Sequence, residues 1–207
     1  MDRSKSSTRK VNAIAIDVSN IQVKVPDKLL VDTNVWLLSS YSPFSLGKRQ
    51  DAASIYADFL DRCIAEGCQL LRTPFTLPEL THVIEREEAS AARERGNNKN
   101  VKQMRWEPNH RRKVIAEVLS AWQQVAEMST WTSGIMVDAR AADQMLIDFR
   151  NLKIDGYDLL IVQEALANGS IPILTDDFDF LSVPKLTVYT ANHTAITAAE
   201  NAGRLRA

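Results

Sequence analysis

Cysteine is scarce in this 207-residue chain: Cys63 and Cys68 are the only two, and they lack the paired spacing of a zinc site. A disulfide scaffold and a zinc module are thereby excluded, and reduced thiols of an intracellular protein are expected. No apolar run approaches the roughly 18 residues needed to cross a bilayer. The first ten residues carry four basic side chains and no apolar stretch of the kind a secretion signal needs, so a cytoplasmic protein is expected. Charge of either sign is not in excess, the net value being −1 with a pI near 6.3. That excludes nucleic-acid binding through bulk charge but leaves a local basic face open. Internal repeats are absent too, which removes the solenoid architectures.

What the chain does have is a globular composition, 45% hydrophobic and 25% charged, and length enough for one well-buried core. Residues 1–25 read as an N-terminal extension: a polar tail to residue 10, expected to be disordered, then a stretch from Val11 to Val25 that alternates loosely enough for a strand or hairpin. Residues 26–207 read as one α/β domain. Lys28-Leu29-Leu30-Val31-Asp32 has the continuous apolar centre of a buried parallel strand whose carboxyl end meets solvent, with Thr33 and Asn34 as caps. Helices are predicted over 51–65, 76–93, 109–129, 138–149, 156–167 and 194–204, with strands at 69–72, 171–174 and 186–189. Strands alternating with helices imply a parallel sheet covered on both faces.

Acidic residues fall at the boundaries of these elements. Asp32 ends the first clear strand, Glu79 opens a helix, Asp155 and Asp158 open another, and Asp176, Asp177 and Asp179 follow the strand that ends at Leu174. In an open parallel sheet ligands collect at the carboxyl ends of the strands, so Asp32 and Asp177 are expected in one crevice. Carboxylates about 4 Å apart repel by roughly 4 kcal/mol per pair at an effective dielectric of about 20, which calls for a compensating cation. Oxygen-only ligands select Mg²⁺ or Mn²⁺, and such an ion leaves positions open for water and a substrate phosphate.

Four segments together, Leu29-Leu30-Val31-Asp32-Thr33-Asn34, Thr73-Pro74 with Leu77-Pro78-Glu79-Leu80, Asp158-Leu159-Leu160-Ile161 with Ala165, and Ile173-Leu174-Thr175-Asp176-Asp177-Phe178-Asp179-Phe180, resemble the PIN-domain family, which includes the VapC-type toxin ribonucleases. The resemblance spans residues 28–190 and implies a three-layer α/β/α fold with a central parallel sheet. It also implies an endoribonuclease dependent on Mg²⁺ or Mn²⁺. It carries catalytic and metal-binding roles onto Asp32, Glu79, Asp158 and Asp177, the last chosen over Asp176 because the family's final acid stands two places after a threonine, here Thr175. Thr33, Asn34, Asp155, Thr175 and Asp179 are candidate supports of that shell. The toxin subgroup further implies RNA as substrate, an antitoxin protein and a homodimer.

Between residues 93 and 113 stand eight lysines and arginines against two glutamates, inside a helical, basic insertion expected at about 90–130. Arg105, Trp106, Arg111 and Arg112 are its candidate RNA contacts, since an aromatic among cations can stack a base while the cations follow phosphate. The alternative has Trp106 tucked onto the core. Trp122 is expected in the core, Trp36 either in the core or on a self-association surface, and His82 on a helix surface. Two rival functions are a haloacid-dehalogenase-like phosphatase, which would need Asp where Asn34 stands, and a non-catalytic PIN-like RNA-binding or scaffold protein.

Overall fold

In a computed structural model the described residues are 10–45, 50–134 and 138–206; residues 1–9 of the expected tail lie outside them. In chain order they form β1 (Ile14–Asp17), β2 (Lys28–Val31), α1 (Thr33–Ser40), α2 (Ser42–Ser45), α3 (Gln50–Ala65), β3 (Gln69–Arg72), α4 (Thr76–Glu94) and α5 (Val101–Met104). There follow α6 (Pro108–Met128), β4 (Thr130–Trp131), α7 (Ala139–Asn151), α8 (Gly156–Ala167), β5 (Ile173–Leu174), a 3-10 turn (Phe178–Ser182), β6 (Thr187–Thr190), α9 (His193–Asn201) and β7 (Leu205–Arg206).

Among these residues seven strands make one sheet in the order β4-β3-β2-β5-β6-β1-β7, and every neighbouring pair is parallel. Side chains of a strand alternate between the two faces, and both faces here are buried. Leu29, Val31, Leu70, Leu174 and Tyr189 pack beneath α1, α3, α4 and α6 with Trp36, Tyr56, Phe59 and Leu80. Leu30, Leu71, Ile173 and Val188 pack on the opposite side with Leu159, Ile161, Ala195 and Ala199 of α8 and α9. The fold is therefore the expected three-layer α/β/α. No described helix is long and apolar enough to cross a membrane.

Several expectations about single elements need correction. The stretch Val11–Val25, expected to give a strand or hairpin, gives the strand β1, and this lies inside the sheet between β6 and β7, so the N-terminal extension is part of the sheet. The closing helix stops at Asn201, and the chain turns through Gly203 (φ 65) to place β7 beside β1. Asp32 itself stands at the cap position of a helix, α1, and Thr33 and Asn34, expected as helix or turn caps, lie in its first turn. On α3 the buried stripe is Tyr56, Phe59, Leu60 and Cys63, while Ile64 is exposed. On α6 the buried side runs through Val114, Ala121 and Val125, with Val118 and Trp122 against it; Ile115 and Leu119 face outward, one step around the helix from that stripe. Trp36 is fully buried, which places it in the core. His82 is exposed as expected, and both cysteines are free thiols.

Candidate active site

Strand register brings the first two acids' elements together. β2 pairs with β5 so that Val31 lies beside Leu174, which sets the next residues, Asp32 and Thr175, side by side at the carboxyl ends of the two central strands. The chain leaves β2 toward β3 on one side and returns to β5 on the other, so this is the point where the strand order reverses and a crevice opens.

Asp32 precedes α1 with extended backbone (φ −69, ψ 151), yet its carboxylate caps nothing. It accepts instead from the Thr175 hydroxyl at 2.7 Å. Thr175 is fully buried, and its Oγ also accepts from Asn34 Nδ2 at 3.2 Å and from the Asp177 amide at 2.9 Å. Asn34 Oδ1 accepts from the Asp176 amide at 3.1 Å. One threonine and one asparagine thus fix the Asp32 carboxylate and the Asp176–Asp177 backbone relative to each other. Both residues stand where the sequence placed supporting groups.

Asp158 lies in the first turn of α8, buried, where the helix N-terminus favours an anion. Asp155 is the cap of that helix, its carboxylate accepting from the amides of Tyr157 and Asp158 at 2.9 and 3.0 Å. Asp177 begins the 3-10 turn, accepting from the Asp179 amide at 2.7 Å. Glu79 stands in the first turn of α4, with its Oε2 buried and lacking a hydrogen-bond partner. Thr33 Oγ1 is buried without a completed bond as well, although its hydroxyl lies close enough to Glu79 to hold that carboxyl's pKa down somewhat.

The electrostatics show that these acids feel one another. Burial, then the charge of Glu79, pushes Asp32 up to about 8 against the opposing Thr175 hydrogen bond, with Asp177 adding to the rise. Burial, then the fields of Asp32, Asp155, Asp177 and Glu79, pushes Asp158 up to about 9. Burial chiefly, with Asp155, raises Glu79. The Asp176 carboxylate accepts from the Tyr56 hydroxyl at 2.9 Å. Among the described residues no ion pair reaches Asp32, Glu79, Asp158 or Asp177. Nor is any group of three or more His, Cys, Asp and Glu side chains gathered closely enough to make a ready ligand set.

A cation nonetheless fits the chemistry present. The donors are all oxygens, one of them is a buried carboxylate atom with no partner, and burial together with the neighbouring acids disfavours the charged forms of Asp32 and Asp158. Alongside the acids opens a cavity of about 380 Å³ lined by Asn34, Leu38, Phe44, Asp176, Asp177, Phe178 and Asn192. Sequence reasoning missed two residues here, Tyr56 and Asn192. Asn192 donates from Nδ2 to the Asp176 carbonyl at 2.7 Å while its Oδ1 caps α9. An asparagine just ahead of a helical stretch was the available signal for that cap.

The basic insertion is built from the end of α4, α5 and α6. Trp106 is 87% exposed, which rules out the tucked-in alternative. Arg105 forks onto Glu85 through Nε and Nη2, Arg111 lies 3.7 Å from the same carboxylate, and Arg112 donates to Asn109 Oδ1. Trp122 is half-buried on the rim of the core, where it and Trp131 flank the Arg72 guanidinium at 5.4 and 4.2 Å.

No protein-family model matches this sequence, and no curated protein does either.

Proposed function

We propose that the chain is a metal-dependent endoribonuclease of PIN-like type, with Asp32, Glu79, Asp158 and Asp177 as its acidic site and Mg²⁺ or Mn²⁺ as its cofactor. The observation that carries this reading is electrostatic: four acids from four separate elements act on one crevice at the carboxyl ends of β2 and β5, with no cation paired to them among the described residues. Buried acids perturbed by other acids are the mark of a functional cluster more often than of a structural one. When bound, the ion would lower the pKa of water and offset charge on the phosphate during in-line displacement.

The chain's own residues do the rest. Asp32, Asp158 and Asp177 would hold the ion, and Thr175 keeps Asp32 aimed. Glu79, with its unpartnered oxygen, completes the shell or orients the attacking water. The insertion would add contacts to single-stranded RNA, Trp106 offering a stacking face and Arg112 a cation for phosphate. The toxin role, with an antitoxin and a second copy of the chain as partners, rests on the family resemblance alone.

Cleavage of mixed cellular RNA with Mn²⁺ or Mg²⁺, wild type against Asp32→Asn, tests the reading. Loss of cutting by about a hundredfold or more is expected, and equal cutting by both proteins would sink it. A second reading, a PIN-like scaffold or RNA-binding protein, is favoured by the lack of a ready ligand set among the described residues. It predicts RNA binding without measurable Mn²⁺ binding.

A further inference from the structure

Tyr56 has no part in the proposed reaction, yet its phenol joins three elements at the edge of the site. It projects from α3 with its ring fully buried, and its hydroxyl oxygen has four polar neighbours. The Ala191 amide donates to it at 2.9 Å, and Thr190 Oγ1 lies at 3.3 Å. The Thr175 carbonyl oxygen is 3.1 Å away and Asp176 Oδ1 2.9 Å. A phenol has one proton and two lone pairs. The Ala191 amide takes one lone pair, and the Thr190 hydroxyl, whose oxygen already accepts from the Asn192 amide at 3.1 Å, can donate to the other. The single proton is left for Thr175 or Asp176, and the carboxylate makes the stronger, charge-assisted bond.

We infer that Tyr56 is a positioning residue: its hydroxyl ties the Asp176 carboxylate to α3 and so keeps the Thr175–Asp177 turn in the conformation that gives Asp177 to the crevice. The inference rests on the nuclease reading for the purpose of the turn, though not for its geometry. Asn34 and Asn192 pin the backbone of Asp176 from either side, and the Tyr56 hydroxyl donates to its side chain. Two adjacent acids are thereby sorted. Asp176 turns to the phenol, while Asp177 adds its charge to the field at Asp32 and Asp158. Without the hydroxyl, the Asp176 carboxylate loses a charge-assisted donor, and the turn that carries Asp177 loses this tie to α3.

The test compares wild type, Tyr56→Phe, which keeps the ring, and Asp32→Asn, which breaks the metal site. Amide hydrogen exchange on the metal-free proteins reads the turn directly, and Mn²⁺ titration by calorimetry reads the site. In Tyr56→Phe the Asp177 and Asp179 amides are expected to exchange faster, and Mn²⁺ affinity to fall by roughly tenfold, the usual size of an outer-shell loss. For RNA cleavage kcat should drop while KM holds. Unchanged exchange overturns the inference, as does faster exchange with Mn²⁺ affinity intact. If wild type binds no Mn²⁺, the nuclease reading fails, and exchange alone then decides whether the hydroxyl holds the turn. Should Tyr56→Phe not fold, Asp176→Asn weakens the same bond by removing its charge, and it should produce the same two changes at smaller size.

Discussion

Glu79, Glu85 and Glu88 stand on one helix, and the structure treats them in opposite ways. Glu85 receives the Arg105 fork with Arg111 nearby, and the hydrogen bond from Arg105, then the two positive charges, hold its carboxyl below the usual range. Glu88, only 2% exposed, takes Lys113 at 2.6 Å and the Tyr41 hydroxyl at 3.0 Å. Glu79, about two and a half turns before Glu88, has acids for neighbours and a raised pKa. A buried acid that has its cation belongs to the fold, whereas one set among other acids is the kind a ligand site uses, as proposed above. The same contrast changes the basic insertion. Lys99, Arg105, Arg111 and Lys113 are each bound to a glutamate, so half of the eight cations are committed within the protein.

The strongest way to break this comparison is to remove one charge from each region. Lys113→Ala leaves the Glu88 carboxylate buried beside only the Tyr41 hydroxyl, and a loss of about 3 kcal/mol in unfolding free energy is expected by urea denaturation. Asp158→Asn should do the reverse: it removes a buried carboxyl that must take up a proton to fold near neutral pH, so the metal-free protein gains stability there while Mn²⁺ binding collapses. Two losses of stability would erase the distinction.

Stability of the metal-free protein should also depend on pH with an unusual sign. The unfolded chain releases the Asp32 and Asp158 protons near 3.8, but the fold keeps them to about 8 and about 9. Across that interval the folded protein binds more protons, so stability declines as pH rises. Thermal unfolding in chelator should therefore show a falling midpoint between roughly pH 5 and pH 8, and a flatter profile in Asp32→Asn. Added Mn²⁺ should raise the midpoint more at the upper end, because binding there displaces fewer protons. A midpoint that climbs with pH, equally in both proteins, contradicts the assignment.

Much of this was legible in the sequence because it is periodic or sits at a boundary. The apolar run of β2 and the acids at the ends of elements could be read directly, as could the alternation that makes the sheet parallel. Long-range pairings were not. Nothing local says that β1 lies against β6 or that β7, two residues long, closes the edge, since such short strands exist only through their neighbours. Tyr56 was hidden for a similar reason. It stands on the apolar stripe of α3 between residues that are simply core, and its role depends on partners in Thr175, Asp176 and Ala191 far along the chain. The charge count of the insertion misled in the other direction, because it could not show that Glu85 and Glu88 on α4 neutralise part of it.

The smallest expected effects separate the two kinds of residue within that insertion. Trp106 presents its ring to solvent, so Trp106→Ala should weaken binding of single-stranded RNA by about 1 kcal/mol, roughly fivefold, without loss of stability. Arg105→Gln should do the opposite, with a modest loss of stability and no change in RNA affinity, because its guanidinium is already taken by Glu85. Fluorescence anisotropy at several salt concentrations, in an Asp32→Asn background that prevents cutting, measures both. Arg112, held only by the neutral Asn109, should reduce the salt dependence when replaced by Gln, since each phosphate contact contributes about one unit of slope. If instead Arg105 carries the salt dependence and Trp106 is silent, the insertion binds RNA by opening its own ion pairs, and the division between structural and available cations falls.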